Sequence, residues 1–287
     1  MRKLTSPEVI KSILREYEFR FSKSLGQNFL IDDSALESII DAADLSENDA
    51  VLEIGPGFGT LTQALLKEAG KVVSVEIDKT VIPILEENLK DFSNFKVICA
   101  DIMKTDLHAL IDTEFKGYNI KAAANLPYYI TTPILMMLLE SGIKFQSIVI
   151  MVQKEVAMRL CAKPGTKDYG AISVGVDYYA DSKIICDVPP HSFMPAPKVT
   201  SSVVKLEMRS KPKVSVKNEK LFFSVVKAAF LQRRKTLSNA LANGGIAPKD
   251  KLSEIFERLN IDPKRRGETL STEEFADIAN LIYMLLF

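Results

Sequence analysis

Val51-Leu52-Glu53-Ile54-Gly55-Pro56-Gly57-Phe58-Gly59 is the stretch from which the fold is read. A short apolar run ends here in glycines at every second position, and an amphipathic stretch, Thr60–Ala69, follows. Glycine after a strand lets the backbone turn sharply and approach a ligand closely. Alone, such a loop is common to several kinds of nucleotide-binding α/β fold. Working outward, the element types alternate. Ala50–Ile54, Lys71–Glu76, Phe95–Ala100, Ile120–Ala124 and Phe145–Val152 read as strands. Thr60–Ala69, Lys79–Lys90, Thr132–Ser141 and Lys154–Cys161 read as helices. Strands that are apolar throughout and alternate with helices specify a parallel sheet covered on both faces. The expected class is α/β, with a Rossmann-like sheet.

Further out the pattern changes. Ser34-Ala35-Leu36-Glu37 has the form of a capping box that opens a helix. Pro164–Gly170 is a breaker-rich loop, and Ile184–Val188 and Val199–Met208 read as two strands near the sheet edge. After Met208 a polar linker leads into helical periodicity over Glu219–Leu241, Lys249–Leu259 and Thr272–Leu285, the last capped by Ser271-Thr272-Glu273-Glu274. A boundary near Met208–Pro212 is expected, giving a first domain over residues 1–209 and a smaller all-helical one over 210–287.

The 287 residues are 47% hydrophobic and carry no net charge, so the whole molecule is not an obvious polyanion binder. The charge is nevertheless uneven. Lys205–Phe287 holds 16 Lys and Arg against 10 Asp and Glu, with 21 against 27 in the remainder. That asymmetry permits a basic face on the C-terminal part. Three scattered cysteines and two histidines support neither a disulfide framework nor a zinc site, so no metal and a reducing, cytoplasmic setting are expected. The apolar end Ile278–Phe287 is about half the length of a membrane span and reads as a closing helix.

Carboxylates sharpen the glycine loop. Glu76 ends the second strand, where it can accept from ribose hydroxyls, and Asp101 follows the third, where it can accept from an adenine amino group. NAD is the main competitor for such a pocket. The loop, however, is Gly-x-Gly-x-Gly, and no His, Lys or Tyr-x-x-x-Lys arrangement suggests a hydride-transfer partner; S-adenosylmethionine fits best. Asn125-Leu126-Pro127-Tyr128 then ends the fourth strand on the same edge. A carboxamide, a rigid turn and an aromatic ring suit a flat base bearing an exocyclic amine. The Asn125 oxygen would accept from adenine N6 and favour a more nucleophilic nitrogen, while Tyr128 would stack on the base for about 1–3 kcal/mol. These four residues equally suit a strand that ends in a proline turn with a buried tyrosine.

Taken together, Ser24–Leu30, Glu53–Gly59, Asn125–Ile130, Val152–Val156, Phe193–Val203 and Ala228–Leu237 closely resemble the bacterial small-subunit ribosomal RNA adenine N6,N6-dimethyltransferase family. The resemblance covers nearly the whole chain. It implies an S-adenosylmethionine-dependent enzyme that places two methyl groups on each of two adjacent adenosines in the 3′-terminal hairpin loop of 16S rRNA. The partner it implies is the immature small subunit, and a monomer is the expectation. Carried onto matching positions, Asn28 and Leu30 would line the cofactor pocket, Gly55 would approach the methionine portion, Glu76 the ribose and Asp101 the adenine. Asn125 would touch cofactor and target. Phe193 would be the second stacking face for the extruded adenine, opposite Tyr128. From the residues alone, Gln27–Phe29 is equally a loop leading into a helix and Phe193 an ordinary hydrophobic plug. Arg233-Arg234-Lys235, on the helix expected over Glu219–Leu241, is either a solvated face or a set of phosphate contacts. The resemblance favours the contacts, with Lys11, Arg15, Arg20 and Lys23 as a possible extension. The nearest alternatives are the large-subunit rRNA adenine methyltransferases of the macrolide-resistance type and an assembly factor that acts mainly by binding.

Overall fold

The computed structural model describes residues 2–22, 25–232 and 234–286. The chain forms two compact units, one of Met1–Ala157 with Lys183–Met208, the other of Met158–Ser182 with Arg209–Phe287. The division at Met208 falls where composition changes. Residues 158–182, in contrast, belong with the C-terminal helices, so the helical unit is discontinuous in sequence and the first domain does not run unbroken to residue 209. Tyr169, Val174 and Tyr178 explain this, because they are buried in the helical core with Phe222, Phe256 and Phe275.

The first unit contains α1 (Pro7–Glu16), β1 (Phe29–Leu30), α2 (Asp33–Ala43), β2 (Asp49–Ile54), α3 (Thr60–Glu68), β3 (Lys71–Glu76) and α4 (Ile82–Leu89). After these come β4 (Phe95–Cys99), α5 (Leu107–Glu114), β5 (Asn119–Asn125), α6 (Thr131–Glu140), β6 (Phe145–Gln153) and the start of α7 (Lys154–Leu160). Beyond α8 (Ala171–Tyr179) lie β7 (Ala180–Val188), β8 (Phe193–Met194) and β9 (Ser201–Met208). The large sheet has the order β4-β3-β2-β5-β6-β9-β7. Pairing is parallel from β4 to β6 and antiparallel between β6 and β9. All six residues of β2 are buried, as a central parallel strand covered on both faces requires. β2 lies between β3 and β5, so the chain order reverses beside it, and the carboxyl ends of β2 and β5 open the crevice in which α/β sheets bind ligands.

Local chemistry moves some expected boundaries. The cap of α2 is Asp32, not Ser34; its carboxylate accepts from the Ser34 and Ala35 amides at 3.0 and 3.2 Å, and the Ser34 hydroxyl donates to it. β1 and β8 form a small antiparallel ladder with Leu30 opposite Phe193, and the Met194–Pro195 peptide is cis. Leu4, Ile10, Ile13, Phe29, Phe58, Val81 and Ile84 make a satellite core beneath the glycine loop. There Phe29 and Phe58 stack with centroids 4.1 Å apart.

The second unit adds α9 (Glu219–Leu231), α10 (Leu237–Asn243), α11 (Lys249–Arg258) and α12 (Thr272–Leu286) to α8. The helix expected over Glu219–Leu241 is therefore two helices. The break turns Leu237 into the core, and its backbone N–H donates to the Arg265 carbonyl at 2.6 Å. A reciprocal capping box opens α12: the Glu274 amide donates to Ser271 Oγ, and the Ser271 amide to Glu274 Oε2. Among the described residues no helix is long and apolar enough to cross a membrane.

Candidate active site

A cavity of about 340 Å³ opens at the carboxyl edge of the parallel strands, within the range that houses small-molecule ligands. Its walls include Asn28, Leu30, Gly55, Glu76, Asp101, Asn125 and Tyr128, so residues from four strand ends and from the segment before α2 converge on one space. Gly55 and Gly57 have φ of +70° and +57°, a region L side chains rarely adopt. A Cβ added at Gly55 would meet nothing within 4 Å and would project into open space. At Gly57 it would lie 2.7 Å from Phe29 Cε1. The loop thus bends around the cavity because one glycine leaves room for a ligand and the other for an aromatic ring.

Two carboxylates on neighbouring strands face this space. Glu76 is buried at the end of β3 and accepts from the Asp78 amide at 2.8 Å; burial pushes its carboxyl up despite that bond. Glu53 is 1% exposed and accepts from Ser74 Oγ at 2.7 Å. Burial pushes its carboxyl up to about 7, against the lowering effect of Ser74 and with a smaller push from Glu76. Between its ordinary value near 4.5 and this raised one, the folded chain holds a proton that the unfolded chain releases. Glu53 therefore contributes stability that is fully present below pH 4.5 and lost as pH rises through 7, on the order of 3 kcal/mol. Glu53→Gln should flatten this part of the profile, so the stability difference between wild type and variant changes across pH 5–7.5 in urea melts. A pH-independent difference would remove the assignment.

Asp101 begins the turn after β4; one carboxylate oxygen accepts from the Met103 amide at 3.0 Å and the other lies 3.5 Å from Lys104 Nζ. Asn125 is the last residue of β5. Its Nδ2 donates to the Asn28 carbonyl at 3.0 Å, which fixes the amide orientation and leaves Oδ1 available as an acceptor. Pro127–Ile130 form a turn closed by the Ile130 amide on the Pro127 carbonyl. Tyr128, half-buried, is held by a 2.6 Å hydrogen bond between its hydroxyl and Ser201 Oγ.

Not all expected residues meet here. Phe193 does not line the cavity. It is 3% exposed, opposite Leu30 in the β1–β8 ladder and packed among Leu30, Val188 and Val203. A ring so enclosed presents no free face to a base, and the plug reading describes this conformation. Tyr129, which the sequence reading gave no role, is 59% exposed on the cavity wall and lies over Gly26. Gln27 has a bracing part that its sequence context does not signal. Its Oε1 accepts from the Ser22 amide at 2.8 Å and its Nε2 donates to Asp78 Oδ2 at 2.7 Å, tying segment 25–30 to the loop after Glu76. Arg234 and Lys235 are exposed in the turn between α9 and α10, while Arg233 and Lys23 lie outside the described residues. Lys11, Arg15 and Arg20 are exposed on and just after α1.

Residues 18–283 match the family model described as ribosomal RNA adenine dimethylase. The chain belongs to this family. Among curated ribosomal RNA adenine dimethylases and relatives, it is 53% identical over 281 residues to the ribosomal RNA small subunit methyltransferase A of Alkaliphilus oremlandii, covering 98% of each chain. The protein of that name from Clostridioides difficile is 50% identical, again over 98% of each. Among solved structures, a dimethyladenosine transferase from Plasmodium falciparum superposes with TM-score 0.76 at 27% identity, over 87% of this chain and 95% of that one. The 23S rRNA methyltransferase ErmE superposes at 0.68 with 24% identity, over 89% and 100%, a likeness of fold. As a ribosomal RNA adenine dimethylase the protein is an enzyme, and the cavity at the β2–β5 reversal is the candidate place of its chemistry.

Proposed function

We propose that this chain transfers methyl groups from S-adenosylmethionine to N6 of two adjacent adenosines in the 3′-terminal hairpin loop of 16S rRNA, acting on the immature small subunit. The observation that carries the reading is the Asn125 amide, braced on the Asn28 carbonyl with its oxygen free at the edge of the cavity. The cavity suits the donor. Open space beside Gly55 admits a methionine portion, and buried Glu76 offers an acceptor to ribose hydroxyls. Asp101 and Asn28 lie on the same walls, for the adenine end and the cover respectively. When bound, S-adenosylmethionine supplies an electrophilic methyl group on sulfur.

The residues of the chain do the rest. Asn125 Oδ1 accepts from the target amine and draws its lone pair out of ring conjugation. Tyr128, anchored at its hydroxyl by Ser201, offers a stacking wall that offsets the few kcal/mol spent on unstacking a base. Phe193 could serve as the opposite wall only after leaving its packed site; exposed Tyr129 needs no such rearrangement. Orientation and amine polarisation then supply most of the rate. No general base is assigned, because the proton can pass to water after transfer.

The deciding experiment incubates purified enzyme and labelled S-adenosylmethionine with unmodified small or large subunits, followed by mass spectrometry of the rRNA fragments. Dimethyladenosine pairs in small subunits alone are expected; label in large subunits, or in neither, would refute the proposal. The helical unit is proposed to hold rRNA phosphates through Arg234, Lys235 and the neighbouring Arg233. For Arg234→Ala/Lys235→Ala, rRNA affinity should fall and the slope of log affinity against log salt should become shallower by about one to two. An unchanged slope would return these side chains to the solvated-surface reading.

A further inference from the structure

A second cavity, of about 300 Å³, lies in the first unit on α3, and Thr60 borders both it and the candidate active site. Its walls bring together Arg2, Lys3 and Lys67 with a single carboxylate, Asp33, which is already paired with Lys3 at 2.6 Å. The segment carrying Arg2 is fixed against α3: Gln63 Nε2 donates to the Arg2 carbonyl at 3.2 Å and Thr60 Oγ1 to the Leu4 carbonyl at 3.4 Å.

The donors in this pocket outnumber its acceptors. Arg2 uses Nη2 on Glu16 at 2.9 Å, but its Nη1 is buried and makes no hydrogen bond. The Thr5 hydroxyl, on a residue 7% exposed, is buried beside the Asp33 carboxylate, which Lys3 first and Thr5 second hold below its ordinary value. Lys67 is exposed on the last turn of α3 and makes no ion pair among the described residues. A buried guanidinium N–H without a partner is costly and calls for an acceptor. The group that best fits the Arg2 guanidinium and the Lys67 ammonium on the walls of one pocket is a tetrahedral oxyanion.

We propose that this pocket binds a phosphate group, separately from the methyl-donor cavity. Two sources share that chemistry, a backbone phosphate of the rRNA substrate and free inorganic phosphate. The first rests on the proposed function and extends the RNA footprint to the outer side of α3; the second does not depend on it.

The test uses the full chain and Lys67→Glu, which changes an exposed side chain outside the methyl-donor cavity. Inorganic phosphate is titrated while the amide resonances of Thr5, Gln63 and Lys67 are followed, and rRNA binding is measured across a salt series. The expected results are saturable shifts at those amides in wild type, lost in the variant, with rRNA affinity several-fold weaker and a salt slope shallower by about one. Donor affinity should be the same in both proteins. Shifts lost with rRNA binding unchanged would assign the pocket to free phosphate, and a changed slope without shifts would assign it to RNA alone. No shifts together with an unchanged slope would overturn the proposal. Methylation by the wild-type enzyme is scored independently, so failure of the pocket and failure of the proposed function remain distinguishable.

Discussion

Asn125→Ala should lower single-turnover methyl transfer by about 100- to 1,000-fold with saturating donor, the scale seen when one well-placed polar group is removed from a transition state. The side chain has two jobs with separate atoms. Its oxygen is available to the target amine, and its nitrogen holds the Asn28 carbonyl at 3.0 Å. The second job predicts a smaller effect, a few-fold loss of donor affinity, because segment 25–30 forms part of the cavity wall. Asn125→Asp keeps an acceptor but lacks the N–H for Asn28, so it should lose donor affinity as well as rate. Rapid-quench kinetics beside donor titrations separate the two effects. Near-normal turnover of the alanine variant at saturating donor would eliminate Asn125 as the polarising group.

Gly57→Ala should cost roughly 2–4 kcal/mol of folding stability, combining a left-handed backbone with overpacking of the aromatic cluster. The new methyl would sit 2.7 Å from Phe29 Cε1, and Phe29 has little room to retreat because it is stacked on Phe58. Gly55→Ala makes the informative comparison. Its φ of +70° carries the same kind of strain, on the order of 1–2 kcal/mol, but its Cβ enters open cavity. The first variant should lose its urea midpoint, whereas the second should lose more donor affinity than stability. Equal midpoints for Gly57→Ala and wild type would mean that the cluster under the loop yields freely.

The strand-end residues were legible because each follows a run with one period and one face. Glu76 and Asn125 stand where apolar strands stop, and the parallel sheet brings strand ends to one edge. What the sequence concealed depended on competition between local signals and packing. α8, with Val174, Val176, Tyr178 and Tyr179, is rich in residues that favour strands, yet the aromatic core of the second unit holds it as a helix. α1 carries a readable signal in Ser6-Pro7-Glu8, with Ser6 capping the Val9 amide, although only the basic residues of this stretch enter the sequence argument. Gln232–Thr236 contains no glycine or proline to announce the break after α9. The break follows from what Leu237 reaches, a long-range fact. Phe193 has the same origin: its pairing with Leu30 joins residues far apart in the chain.

The return of residues 158–182 to the helical unit carries a practical lesson for anyone who trims the gene. Cutting after residue 209 would retain α8 and the loop before it while discarding the partners of Tyr169, Val174 and Tyr178. The fragment would display an orphaned greasy face, prone to self-association. A shorter version that stays dispersed must also splice out that insertion, rejoining β6 to β7 by a linker long enough to cross β9, which lies between them.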